Sequence, residues 1–194
     1  MKHLKVIIAL ALALVFFSGF WDGKTKKELF KEKIEARVER IKTGNETLQL
    51  LFNYDPKSQE ILNHAYGYAT FTNVGVNLIL LSAEGGKGMA HNNRTGINTY
   101  MNMGSGGLGI GLGVKDFRIV FLFENRAVYE SFINAGWEAN AQADLAAKYG
   151  ETGGEINGAI TIAPGVKLYK LTQNGLAAQA TIQGTKYWID SDLN

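Results

Sequence analysis

The chain has 194 residues, 46% of them hydrophobic, with 20 Lys+Arg against 18 Asp+Glu and no cysteine. That length suits one well-buried domain, the apolar content and a net charge of +2 exclude disorder over most of it, and the missing cysteines exclude disulfide scaffolds, zinc fingers, iron–sulfur centres and thiol nucleophiles. Glycine is the outlier at 23 residues, a content that suits curved or closely packed sheets better than helical bundles.

The first five residues are a short basic stretch with Lys2 and Lys5, and Val6 to Phe17 is an unbroken apolar run. A run of this length is short for a spanning helix and fits the core of a signal peptide over residues 1–19. The expected location is therefore exported, periplasmic or envelope-associated in a bacterium, with Phe17 a poor residue at the −3 position of a cut after Gly19.

Residues 20–43 are expected to be a basic amphipathic helix, running over Lys24–Lys42 and stopped by Gly44. Residues 24–42 carry eight Lys/Arg and four Glu, whereas residues 43–194 carry ten Lys/Arg and thirteen Asp/Glu, so the body is mildly acidic. A nucleic-acid binder spreads basic charge over a folded face, and this distribution argues against one. At 3.6 residues per turn Phe30, Ile34, Val38 and Ile41 form one stripe. Lys26, Lys33, Arg37 and Arg40 flank it on one side, Lys27, Lys31 and Lys42 on the other, and the four glutamates lie further round. Cations at an apolar boundary suit a helix lying in a lipid interface; a helix docked on its own domain is the plainer alternative. Exposure of Phe30 and Ile34 would favour the first, full burial the second.

Beyond Gly44, Asn45 reads as the cap of a short helix through Phe52, and Asp55-Pro56 opens another towards Ala65. Strands are expected at Tyr68–Thr72, Val76–Leu81, Met89–His91, Ile97–Met103 and Phe117–Phe123, with a hairpin turn over 92–96. A helix follows at 125–135, capped by Asn125 and ended by Gly136, and then strands at 156–162, 166–172, 176–182 and 186–189. The fold class is α+β: a predominantly antiparallel β domain over 44–194, curved or barrel-like, with a helical N-terminal segment and one further helix.

Gly104-Ser105-Gly106-Gly107-Leu108-Gly109 has the spacing of a dinucleotide fingerprint. The glycines continue with a period of two through Gly111 and Gly113, which reads as a strand with one bare face and not as a phosphate loop opening a helix. No HExxH, GxSxG or paired carboxylates occur, and neither His64 nor His91 has a second ligand at metal-binding spacing. Neither catalysis, a metal nor a cofactor is expected.

From about Leu51 onward several pieces occur in family order: Ala65 to Phe71, Glu84 to Gly88, Gly104 to Gly113 followed by Val114-Lys115-Asp116, Phe121 to Asn125, Gly136-Trp137, Asn174 to Leu176, and Gly184 to Trp188. In these the chain resembles the SYLF-domain family, in its bacterial exported branch. Thr72 follows Phe71 where relatives often carry proline. The resemblance implies lipid binding without catalysis, with an anionic phospholipid as partner. It directs attention to the basic helix and to Lys26, Lys27, Phe30, Lys31, Lys33, Ile34, Arg37, Val38, Arg40 and Ile41. A structural or protein-interaction role in the cell envelope is the alternative.

Overall fold

A computed structural model describes residues 23–73, 83–106, 117–138, 159–172, 175–176 and 185–194. The chain divides into two compact units, Met1–Glu35 and Ala36–Asn194.

Helix α1 covers Lys26–Tyr54 and α2 covers Lys57–His64. The expected break at Gly44 is absent: Gly44 is a buried position inside one helix, and Asn45 caps nothing. The reason is contact, because a Cβ on Gly44 would lie 2.8 Å from both Met89 Cε and Thr70 Oγ1. Glycine is there to let helix and sheet approach closely. Asp55 does start α2 as expected, its Oδ1 accepting from Lys57 N at 3.2 Å.

Strands β1 (Gly67–Thr72), β2 (Ala83–Asn92), β3 (Asn98–Gly106) and β4 (Phe117–Phe123) lead to helix α3 (Arg126–Ala135). After it come β5 (Trp137–Glu138), β6 (Ile160–Ala163), β7 (Val166–Thr172), β8 (Gly175–Leu176) and β9 (Thr185–Ile189). They form one curved sheet in the order β5-β9-β3-β2-β1-β4-β7-β6, with β8 also on β7. Every described pairing is antiparallel. The expected α+β class with a curved antiparallel sheet is what the chain adopts. The expected glycine strand over 107–113 and the strand over 76–81 lie outside the described residues.

Local chemistry accounts for the joints. In the β2–β3 turn Asn92 Oδ1 accepts from Arg94 N and Thr95 N, and Gly96 takes a φ of 71°, a conformation glycine adopts without strain. Asn125 caps α3 by accepting from Val128 N, and Gly136 ends it at φ 66°.

The sheet is covered on both faces. One cluster gathers Phe71, Phe121, Phe123, Tyr129, Phe132 and Tyr187; the other joins Leu48, Leu51 and Leu62 to Val120, Leu122 and Tyr169. The alternating residues of β4 divide between the two clusters, which is why its sequence is apolar at nearly every position. Within the first cluster the Tyr187 hydroxyl is buried without a hydrogen-bond partner among the described residues, and burial pushes its pKa far upward. An unmet buried hydroxyl costs roughly 1–3 kcal/mol. Tyr187→Phe is therefore expected to raise unfolding free energy by about 1 kcal/mol in urea titration. A loss of stability would show that the hydroxyl holds a partner such as an ordered water.

Candidate functional site

In the first unit α1 opens with a reciprocal cap. Thr25 N and Thr25 Oγ1 donate to Glu28 Oε2 at 2.7 and 2.8 Å, and Glu28 N donates back to Thr25 Oγ1 at 3.3 Å. The bond from the Thr25 backbone, then that from its hydroxyl, holds the Glu28 carboxyl below its usual pKa. The cap fixes where the helix starts, and so which residues share a face.

Phe30 is 66% exposed and Ile34 39% exposed, with Leu29 beside them also exposed. Lys26, Lys27, Lys31 and Lys33 are exposed around them. Lys31 pairs with Glu35 at 3.7 Å and Lys24 with Glu32 at 2.8 Å. Among the described residues Lys26, Lys27 and Lys33 have no ion pair. Exposed pairs of this kind contribute about 0–1 kcal/mol, so exchanging a glutamate for another anion is nearly free. The unit thus presents large apolar side chains and exposed cations together. Leu29 was not part of the expected stripe; it lies one position before Phe30, and a single-file periodicity count passes over it.

The expected residues in the second unit divide. Val38 is 59% exposed and Ile41 half-buried. Arg37 is half-buried, its Nε donating to Leu193 O at 2.6 Å with the guanidinium 5.6 Å from the Tyr100 ring centre. Arg40 is a correction to the expected basic flank, because it is only 8% exposed. Its Nη2 meets Asp190 Oδ2 at 2.5 Å and Asn102 Oδ1 at 3.1 Å. Its Nη1 donates to Met101 O at 2.5 Å and Gly88 O at 3.3 Å. A guanidinium with those partners is part of the fold and cannot reach a surface ligand. Arg37, committed to a backbone carbonyl and an aromatic face, is likewise engaged internally.

Among the described residues no group of His, Asp and Glu is arranged to hold a metal ion, and no helix is long and apolar enough to cross a membrane. No family model matches the chain. It is 37% identical over 161 residues to beta cell expansion factor A of Aeromonas veronii, the matched stretch being 82% of this chain and 59% of that protein. The chain therefore spans about three fifths of the relative's length, and similarity of sequence reaches that far.

Proposed function

We propose that this chain is a non-catalytic lipid-binding protein of the bacterial cell envelope, exported and of the SYLF type, that engages anionic phospholipid through residues 26–34. The observation that carries the reading is Phe30, exposed at 66% beside Ile34 and beside Lys26, Lys27 and Lys33, which have no ion pair among the described residues. Leaving a phenylalanine in water forgoes burial worth roughly 1.5–3 kcal/mol, and a membrane interface supplies an apolar medium for it. Each lysine near an anionic surface adds about 1 kcal/mol, and the body, at ten Lys/Arg against thirteen Asp/Glu, adds no attraction of its own. Export is supported by the apolar run at Val6–Phe17. A second reading, an envelope interaction domain, draws on Arg37 and Arg40, which tie the second unit's part of α1 into the fold.

The test is flotation of the full chain with vesicles of phosphatidylglycerol and phosphatidylcholine, and of phosphatidylcholine alone. Binding is expected with the anionic vesicles and should fall steeply between about 0.1 and 1 M salt, where the screening length drops from about 10 to 3 Å. Phe30→Asp with Ile34→Asp should abolish it, and Lys27→Glu with Lys33→Glu should weaken it about tenfold or more. Undiminished flotation of both variants would overturn the assignment to this helix face.

A further inference from the structure

Within the second unit, beside the close contact at Gly44, a cavity of about 220 Å³ is lined by residues of both α1 and the sheet. The pairing register explains what lines its floor. Thr72 of β1 stands directly opposite Lys87 of β2 on one side and Arg118 of β4 on the other. Residues directly opposite in antiparallel strands share a face, so one row carries two cations with a threonine between them. Thr70, two residues back on β1, faces the same way and also lines the cavity. Arg40 lines it from the helix side.

Two features distinguish this from an ordinary packing gap. Arg40 is more than nine-tenths buried, and its Nε is a hydrogen-bond donor without a partner among the described residues, although the rest of the guanidinium is engaged. Buried donors of a guanidinium are costly to leave unmet, and Arg40 is among the residues that line the cavity. Lys87 is exposed at the opening and has no ion pair among the described residues. Arg118 is partly committed, reaching Thr47 Oγ1 at 3.3 Å and Glu46 at 3.9 Å. Glu39 and Glu46 also border the cavity, so its acceptors are carboxylates and its unmet groups are donors.

We propose that this cavity is a binding site for a small oxyanion that carries neighbouring hydroxyl groups. The oxyanion takes the donors of Lys87 and Arg118, and the ligand's hydroxyls donate to Glu39 and Glu46. A bare anion would leave the two carboxylates facing it; a bare polyol would leave the cations unanswered. The volume equals about seven waters at roughly 30 Å³ each, which admits a glycerol phosphate or a hydroxy acid and excludes a nucleotide. The chemistry is shared by free solutes and by a glycerophosphate headgroup. It does not depend on residues 26–34, and so stands or falls separately from the vesicle reading.

The experiment is calorimetric titration of the full chain with glycerol 3-phosphate and with glycerate, together with amide shifts at Lys87 and Thr70. Saturable binding is expected for at least one of them. Lys87→Gln, at an exposed position that leaves the core untouched, should weaken it about tenfold by removing one charge-assisted hydrogen bond. Phe30→Asp with Ile34→Asp should leave it unchanged. Competition with phosphatidylglycerol vesicles then identifies the source: displacement of glycerol 3-phosphate assigns the site to a lipid headgroup, and its absence assigns it to a free solute. No saturable binding of either ligand up to about 10 mM, or an affinity unaffected by Lys87→Gln, would overturn the proposal.

Discussion

Arg40→Met is expected to lower the unfolding free energy by about 3 kcal/mol, and the midpoint of thermal unfolding by roughly 6–12 °C for a chain of this size. Methionine replaces the aliphatic stem, so little packing is lost. What disappears is the cation facing Asp190 Oδ2, and with it the donors to Asn102 and to the carbonyls of Gly88 and Met101. The Asp190 side chain is 13% exposed, and a carboxylate stranded there is poorly hydrated. The double variant Arg40→Met with Asp190→Leu should recover most of the loss, because removing both members of a buried pair relieves the stranded charge. Urea titration of the three variants separates the terms. Full stability in the single variant would show that desolvation of the pair cancels its attraction.

Gly88→Ala carries the second large effect. A Cβ at Gly88 would run into the Thr70 carbonyl oxygen and into the Phe71 ring on the neighbouring strand. Phe71 is 1% exposed and packs edge-on against Phe121 and Tyr187, so it has nowhere to go, and the obstructing oxygen belongs to the backbone. The expected cost is about 3 kcal/mol, at the upper end for overpacking a core. Gly44→Ala makes the comparison. There the obstacles are the ends of the Met89 and Thr70 side chains, and alanine gains about 1 kcal/mol of helix propensity over glycine, so near-neutrality is expected. Equal losses at the two positions in chemical denaturation would overturn this distinction between backbone and side-chain obstruction.

Gly44 and Gly88 also mark where the sequence stops being legible. The elements with local chemistry are readable: Asn125 and Gly136 bound α3, Asn92 to Gly96 turn the hairpin, and the apolar run of Phe117–Phe123 is a strand. Gly44 is misleading because a glycine that ends a helix and one that admits a neighbour are the same residue, and the neighbours, Met89 and Thr70, are remote in sequence. Arg40 misleads similarly. Helical periodicity places it on the flank of a stripe, but it does not say that Asp190 and the carbonyls of Gly88 and Met101 wait there. Phe30 and Ile34, by contrast, are exposed where the pattern left two readings open. Lys87 and Arg118 gave no signal in the sequence, since only the register around Thr72 puts them in one row.

The place of β9 in the sheet bears on how the chain comes off the ribosome. β2 and β3 are neighbours in sequence and can zip together early, but among the described residues the other side of β3 is met by Thr185–Ile189, some eighty residues further on. Until that segment emerges, β3 presents an unsatisfied row of amides and carbonyls along residues 101–105, with Met101 and Met103 uncovered, which is a template for pairing with another chain. The same late segment brings Asp190 to Arg40. Sheet closure and charge neutralisation therefore arrive together, in a contact of long sequence separation that slows folding and lengthens the aggregation-prone interval. A nascent chain of this topology exposes that edge until Thr185–Ile189 is in hand.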